Sequence, residues 1–300
     1  MLHWLVSAAL NERLRVAAIR FLNPAPLMWD FEHAPQQSRL AARYDVYSTL
    51  PARCADDLAS GAADIGLIPV AAYATTSGLA VIPGCTIASR KHVRSILLVM
   101  KQDQSLKDVR TVAADTSSRA SVAYAHVIFK KFFNSDPQFI PHDPDAAGNL
   151  EAMLSVADAA LVIGDPALLA LEQRAALEIQ SGQHYQYCDM AEEWTSRTGL
   201  PWVSAFWGVR PEALARTGVS AEEVTADFTA SRDRGLKHIN ELVAEWSGKI
   251  AVNERTIRTY LTENIHYTLD DECLAGLGLF YRYAAETGVL PQAPPLRLLR

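Results

Sequence analysis

Short apolar runs that alternate with amphipathic segments are the feature that most limits how this chain can fold. Residues 95–100, Ser-Ile-Leu-Leu-Val-Met, are apolar at every position after the serine, which is typical of a central strand buried on both faces. Residues 109–114 and 159–163 have the same character, and the pattern of residues 117–133 between them predicts a helix. The alternation predicts an α/β fold with largely parallel strands.

Prolines and glycines divide the chain at positions that fit this alternation. Pro51 predicts the first turn of a helix and Gly61 its end. Pro24 and Pro26 follow the strand predicted at residues 15–20 and predict a loop there. Toward the C-terminus the pattern becomes helical, and we expect helices over residues 221–246, 253–263 and 270–287.

The length of the chain argues for two lobes, because 300 residues exceed what a single core usually serves. We expect a first lobe of residues 13–101 plus 202–300, with an inserted second lobe of residues 102–201. Residues 1–12 would be an N-terminal extension. The strands predicted at residues 95–100 and 201–210 would be the two crossings between lobes. A cleft between two such lobes is a natural binding site for a small molecule.

Charge and composition exclude several classes of partner. The net charge of −6 gives no support for a nucleic-acid partner, because phosphate binding calls for a basic face. The apolar run of residues 2–10 has no Lys or Arg before it and is too short to cross a bilayer, so we expect neither export nor a membrane anchor.

The cysteines and histidines show no metal-binding or disulfide pattern. Cys54, Cys85, Cys188 and Cys273 are scattered without Cys-x-x-Cys spacing, which predicts reduced thiols in a cytoplasmic protein. The histidines form no pair with ligand spacing, and no nucleotide-binding motif is present. We therefore expect no metal and no cofactor.

Residues 116–121, Thr-Ser-Ser-Arg-Ala-Ser, lie between a predicted strand and a predicted helix and could bind an anion. Free backbone N–H groups at a helix N-terminus, together with the hydroxyls of Ser117, Ser118 and Ser121, suit a carboxylate. Arg119 would add a charge-assisted hydrogen bond. The alternative is an ordinary serine cap, which any helix can have.

Four further residues are candidates for the cleft. The amide of Asn23 either faces the cleft or holds an Asx-turn, and the hydroxyl of Ser95 either faces the cleft or bonds to the backbone. Asp165 follows a strand at the edge where α/β sites gather, and it is either a base or the N-terminal cap of the next helix. Arg94 could attract an anion toward the cleft.

Five stretches occur together in a characteristic order and spacing. They are Phe-Leu-Asn-Pro at 21–24, Gly-Ala-Ala-Asp-Ile-Gly at 61–66, Ile-Ala-Ser and Val-Arg-Ser-Ile-Leu-Leu within 87–98, Ser-Arg-Ala-Ser-Val at 118–122 and Ile-Gly-Asp-Pro-Ala-Leu at 163–168. On these residues the chain resembles the chorismate dehydratase family of the futalosine route to menaquinone. The resemblance runs from about residue 15 to residue 210, and it departs from the family at Ala120, where Thr is usual, and at Pro166, where Ala is usual.

The resemblance implies a two-lobed α/β fold of the periplasmic-binding-protein type II, with C-terminal helices. It implies a lyase that removes water from chorismate to give 3-[(1-carboxyvinyl)oxy]benzoate, without a cofactor. It also implies that Asn23 and Ser95 hold the substrate while the enolpyruvyl carboxylate of chorismate acts as the base. Asp165 is the alternative base on the protein.

Two other functions stay open on the sequence. A non-catalytic solute-binding protein has the same fold, but it normally carries an export signal. The dihydroxynaphthoate synthase of the same pathway is the second alternative. That family has a Ser-Pro-x-Pro type of loop and needs a catalytic histidine, whereas this chain has Phe-Leu-Asn-Pro.

Overall fold

The structure is a computed structural model, and it describes residues 12–142 and 150–300. The N-terminal extension predicted for residues 1–12 lies outside the described residues except for its last residue. The described residues form two five-stranded sheets surrounded by helices.

The strands, in chain order, are β1 (Leu14–Ile19), β2 (Tyr44–Thr49), β3 (Ile65–Pro69), β4 (Ala80–Ser89), β5 (Ile96–Lys101), β6 (Thr111–Asp115), β7 (Gln138–His142), β8 (Ala159–Ile163), β9 (Tyr185–Asp189) and β10 (Trp202–Val209).

The helices are α1 (Ala25–Glu32), α2 (Gln36–Leu40), α3 (Pro51–Ser60), α4 (Val70–Tyr73), α5 (Arg119–Phe133), α6 (Leu150–Val156), α7 (Asp165–Glu172), α8 (Arg174–Ser181), α9 (Met190–Thr198), α10 (Pro211–Thr217), α11 (Ala221–Gly235), α12 (Ile239–Ser247), α13 (Glu254–Thr259) and α14 (Asp271–Glu286). A π-helical turn, Tyr260–Asn264, continues α13.

The two sheets have the same topology. The first has the order β2-β1-β3-β10-β4, and the second has the order β7-β6-β8-β5-β9. In each, three parallel strands are followed by one strand, β10 or β5, that runs antiparallel to both of its neighbours. We call the first sheet with its helices the first lobe, and the second sheet with its helices the second lobe.

The predicted boundary between the lobes at residue 101 is wrong, because β5 pairs with β8 and β9 in the second sheet. The chain therefore crosses between lobes before β5, in the segment 90–95, and again before β10, in the segment 199–201. The prediction that the strand expected at residues 95–100, which is β5, is buried on both faces is confirmed. Leu98 and Met100 belong to the main core, while Leu97 and Val99 belong to a smaller cluster on the other face of the sheet.

The loop predicted after β1 covers residues 20–24, and helix α1 begins directly after it at Ala25. Pro24 is the residue that caps the helix, and Pro26 lies in its first turn, where a proline costs no hydrogen bond. The helix is held by α11, since the hydroxyl of Ser231 donates to the carbonyl of Leu27 at 2.8 Å. Asn23 consequently lies at a fixed turn directly before a helix.

The helix predicted over residues 221–246 is two helices, α11 and α12, which are separated at residues 236–238. Helix α11 ends at Gly235, where a Cβ atom would lie 2.1 Å from the carbonyl oxygen of Pro26. A glycine is needed there because α11 and α1, the helix that contains Pro26, approach each other so closely. The break was not predictable from the local pattern, since the constraint comes from residues far away along the chain.

The edge strands β2 and β9 were missed by the sequence analysis. Only one side chain of β2, Tyr44, is buried, and in β9 only Asp189 is buried. Strands that are mostly exposed do not show the apolar pattern on which the other predictions rest.

Two other properties bear on the environment of the chain. The four cysteines all lie in the described residues, and none forms a disulfide. None of the helices in the described ranges is long and apolar enough to cross a membrane.

Candidate active site

A cavity lies between the two lobes, at the ends of strands from both sheets. Its lining combines apolar side chains with a few amides and hydroxyls: Ile19, Phe21, Asn23, Pro51, Pro69, Ile87, Val93, Ser95, Ile96, Ser118, Ser121, Ile163, Gly164, Ser204 and Ala205. None of these lining residues carries an ionisable side chain. The cavity can therefore bind a ligand through hydrogen bonds and dipoles, and any charge must come with the ligand or from outside the lining.

The cavity has a volume of about 40 Å³ in this closed arrangement of the lobes. This is room for a few water molecules, whereas pockets for small organic ligands usually measure about 300–1,000 Å³. A ligand of that size can enter only if the lobes separate.

Hydrogen bonds across the cleft hold the lobes in this closed arrangement. The backbone N–H of Ala52, in the first lobe, donates to the carbonyl of Ser117 at 2.9 Å. Gly164 has a positive φ of 67°, and a Cβ atom there would lie 3.0 Å from the ring of Phe21 in the other lobe. Only glycine allows both this backbone conformation and this approach.

Asn23 reaches the cavity from the turn between β1 and α1. Its carbonyl oxygen Oδ1 is buried and has no hydrogen-bond partner among the described residues. No side chain caps α1. The Asx-turn alternative is therefore not supported, and the amide is left with an acceptor for a ligand.

Ser95 reaches the cavity from the position directly before β5. Its side chain is buried, and its Oγ accepts a hydrogen bond of 2.7 Å from the hydroxyl of Tyr260. Tyr260 lies in the π-helical turn and belongs to the first lobe, so this bond also joins the lobes. Tyr260 could not be recognised as a site residue from the sequence. A tyrosine in an apolar helical pattern looks like any core residue, and its partner lies far away in the sequence.

The N-terminus of α5 forms one wall of the cavity. Ser118 is its N-cap, and the Ser118 Oγ accepts from the backbone N–H of Ser121 at 3.3 Å and lies 2.9 Å from the Ser121 Oγ. The Ser117 Oγ is buried and has no partner among the described residues. The serine-cap alternative is thus correct for Ser118, and the same residue also lines the cavity.

The two arginines predicted for the site are not among the residues that line the cavity. The Arg119 guanidinium forms an exposed ion pair with Asp56 at 2.6 Å. The Arg94 side chain is exposed, and its backbone has a positive φ of 62° with the N–H donating to Asp189 Oδ2 at 2.7 Å. Each is adjacent in sequence to a residue that lines the cavity, Ser95 or Ser118, and we call these two arginines the rim.

Asp165 is not the N-terminal cap that one of its two interpretations predicted. Gly164 is the capping residue of α7, and no side chain caps that helix. The Asp165 carboxylate instead accepts the backbone N–H of Leu22 from the other lobe at 3.0 Å. The residue lines a neighbouring apolar pocket rather than the cavity. Burial raises the pKa of Asp165 to about 6, while the Leu22 hydrogen bond lowers it.

One group of potential metal ligands occurs in the described ranges, and it lies apart from the cavity lining. His266, Asp270 and Cys273 bring their ligand atoms within 4.8 Å of one another. Asp270 Oδ2 is already bonded to His266 Nε2 at 2.8 Å and to Arg90 at 2.6 Å. A cation there would have to displace the Arg90 guanidinium from Asp270. We therefore interpret these three residues as a helix cap with its ion pairs.

Comparison with known families gives one match over most of the chain. A family model described as menaquinone biosynthesis matches residues 14–286. A chorismate dehydratase from Thermus thermophilus is 28% identical over 262 residues, which cover 84% of this chain and 89% of the relative. The resemblance found in the sequence motifs is confirmed.

Comparison with solved structures confirms the fold class. A protein from Archaeoglobus fulgidus superimposes with a TM-score of 0.70 at 14% identity, covering 92% of this chain and 98% of that one. The periplasmic aliphatic sulphonate binding protein from Escherichia coli superimposes with a TM-score of 0.64 at 14% identity, covering 96% and 94%. These likenesses show the two-lobed binding-protein fold alone.

The buried position of Asp165 predicts how stability depends on pH. An Asp in an unfolded chain has a pKa of about 3.9, so the raised pKa means that the folded protein disfavours the ionised form. The unfavourable contribution is absent below about pH 4, grows as the pH rises, and is complete above about pH 6. Asp165→Asn keeps an oxygen for the Leu22 N–H but cannot ionise. We expect it to raise Tm by on the order of a few degrees at pH 8 and to leave Tm unchanged at pH 4.

Asp158→Asn is the control with the opposite sign. Burial opposes ionisation of Asp158, but the backbone N–H groups of Arg110 and Thr111 prevail and lower its pKa. This variant should therefore lower Tm at pH 8. Curves of Tm against pH that run parallel for wild type and Asp165→Asn would contradict the assignment of Asp165.

Proposed function

The chain belongs to the menaquinone biosynthesis family, and from this premise we propose that it is a lyase that dehydrates chorismate. The relative from Thermus thermophilus bears the name of this activity. The observation that carries the proposal is the cavity itself, in which Asn23, Ser95 and Ser118 offer neutral polar groups and none of the described lining residues has an ionisable side chain.

The reaction needs little from the protein beyond orientation. Chorismate has two tetrahedral ring carbons, one bearing the enolpyruvyl ether and the other a hydroxyl group. Loss of the hydrogen from the first carbon and of hydroxide from the second makes both trigonal and the ring aromatic. The proton and the hydroxide leave together as water, so no electrons are exchanged and the gain in aromaticity drives the step.

We assign the base to the enolpyruvyl carboxylate of the substrate. This carboxylate is tethered to the carbon that loses its hydrogen, so a fixed conformation brings it to the proton without a group from the enzyme. A carboxylate of the protein placed beside a dianion in a closed cavity would be repelled and would have a raised pKa. The uncharged lining fits a substrate that brings its own base.

The N-terminus of α5 is suited to hold a substrate carboxylate. The positive end of the helix dipole lies there and favours an anion, and the hydroxyls of Ser117, Ser118 and Ser121 lie in the same turn. Arg94 and Arg119, at the rim, contribute long-range attraction for the dianion. Asn23 and Ser95 face this helix end from the other elements of the cavity and hold the reacting ring.

Binding requires an open form, because a cavity of about 40 Å³ does not admit chorismate. The lobes open for the substrate and close around it, as is usual for sites between two hinged lobes. Closure removes water and completes the set of groups that come from both lobes.

The alternatives from the sequence are less well supported. No histidine is among the described residues that line the cavity, whereas the dihydroxynaphthoate synthase of the pathway needs one. The likeness to solute-binding proteins concerns the fold alone. We also propose that the protein works in the cytoplasm, which the four unpaired cysteines support.

Purified protein mixed with chorismate is expected to release an aromatic product that has lost one water and retained the enolpyruvyl ether. Liquid chromatography with mass detection measures it directly, and the yield should be the same with and without a chelator. Bound chorismate that stays unchanged would contradict the lyase and favour a binding protein. Activity that disappears with the chelator and returns with zinc would also contradict the proposed mechanism.

Ser118→Gly and Arg119→Ala separate the anion site from the rim. Glycine is nearly as good an N-cap as serine, so Ser118→Gly removes the hydroxyl while α5 stays folded. A hydrogen bond to a charged group contributes about 1.5–3 kcal/mol, so we expect affinity for chorismate to fall about tenfold to a hundredfold. Arg119→Ala, which removes the ion pair with Asp56, should change affinity by about threefold at most.

Isothermal titration calorimetry at constant ionic strength checks both variants. An unchanged affinity of Ser118→Gly would reduce the segment to a structural cap. A larger loss in Arg119→Ala than in Ser118→Gly would mean that the guanidinium leaves Asp56 and binds the substrate.

A further inference from the structure

The hydroxyl of Tyr260 is a buried polar group beside the cavity, and it has no role in the binding of the substrate described so far. The residue begins the π-helical turn Tyr260–Asn264, and the backbone N–H of Ile265 donates to its carbonyl at 3.1 Å. Such turns are often found where a side chain must be placed for function. The side chain is only 1% exposed, and its hydroxyl lies 2.7 Å from Ser95 Oγ.

The Tyr260 hydroxyl donates this hydrogen bond and Ser95 Oγ accepts it. Burial raises the pKa of Tyr260, so the hydroxyl keeps its proton at neutral pH. That proton is donated to Ser95 Oγ. Ser95 therefore accepts from Tyr260, and its own hydroxyl proton remains available. Since Ser95 lines the cavity and its proton meets no acceptor in the described part of the chain, the proton is available to a ligand.

Asn23 lines the same cavity as Ser95. Its side-chain carbonyl oxygen, Oδ1, is buried and has no hydrogen-bond partner among the described residues. The amide therefore offers an acceptor to a ligand in the cavity that the Ser95 hydroxyl also lines.

We propose that Tyr260 is a positioning residue that makes Ser95 a hydrogen-bond donor toward one hydroxyl group of the substrate. The proposal rests on the proposed function, in which that hydroxyl group leaves as hydroxide. Its hydrogen is accepted by Asn23 Oδ1, and its oxygen accepts from Ser95. As the bond to carbon breaks, negative charge builds on this oxygen and the Ser95 hydrogen bond strengthens. Tyr260 itself does not touch the substrate.

Tyr260→Phe tests the proposal, because it keeps the ring in the core and removes only the hydroxyl. Without it, the Ser95 hydroxyl is free to rotate or to bond to Asn23. Losing one oriented donor or a near-attack geometry costs about a hundredfold, so we expect kcat to fall about tenfold to a hundredfold. KM should stay within about threefold, since the helix end that binds the carboxylate is untouched.

Tyr267→Phe is the matched control. Tyr267 is equally buried and follows in the same C-terminal segment, but its hydroxyl has no partner among the described residues. Its removal should leave kcat unchanged. Equal loss of kcat in both variants would mean that any change in this segment disturbs the site, and it would overturn the proposal.

A double-mutant cycle shows whether Tyr260 acts through Ser95. In the Ser95→Ala background, Tyr260→Phe should lower kcat by about threefold at most, because the group that it positions is already absent. The same tenfold or greater loss in that background would overturn the proposal, as would a wild-type kcat in Tyr260→Phe alone.

Crystal structures of the two tyrosine variants give a result that does not depend on turnover. Ser95 should leave its position or occupy two rotamers in Tyr260→Phe and remain single in Tyr267→Phe. An unmoved Ser95 in Tyr260→Phe would overturn the positioning role even if chorismate is the substrate. A wild-type protein that does not convert chorismate would contradict the proposed function, and the crystal structures would then decide the role of Tyr260 separately.

Discussion

The uncharged lining of the cavity between the lobes is the constraint on which the rest of the structure depends. A small dianion enclosed there can be held only by dipoles, and the N-terminus of α5, the serine hydroxyls and the Asn23 amide supply them. The Asp165 carboxylate accepts the Leu22 N–H and is not among the described residues that line the cavity. In the proposed function the substrate brings both the negative charge and the base.

Both lobes contribute polar groups, so the site exists only when the lobes meet. Asn23 comes from the first lobe, where α11 fixes the start of α1 through Ser231. Ser95 and the N-terminus of α5 come from the second lobe. The bond between Tyr260 and Ser95 joins the two halves, and the small closed volume links catalysis to an opening and closing cycle.

The sequence predicted those parts of the fold that depend on local patterns. Strand β8 has the predicted limits, α3 begins at Pro51 and ends before Gly61, and α13 with its π-helical turn covers the helix predicted over residues 253–263. It failed where a distant contact decides the local structure, as at Gly235 and at the edge strands. The candidate site shows the same division. Asn23, Ser95 and Ser118 were found from motifs, whereas Tyr260 could not be, since its role depends on a contact with a residue 165 positions away.

The pH dependence of kcat between about pH 5 and pH 9 tests the central claim that the protein supplies no base. The enolpyruvyl carboxylate is an ordinary carboxylate and is ionised throughout this range, and the cavity lining does not titrate. The account predicts a flat profile for wild type, with Asp165→Asn retaining most of the wild-type kcat. A profile that rises with a midpoint near the raised pKa of Asp165, about 6, and a folded, chorismate-binding Asp165→Asn protein without turnover would contradict it.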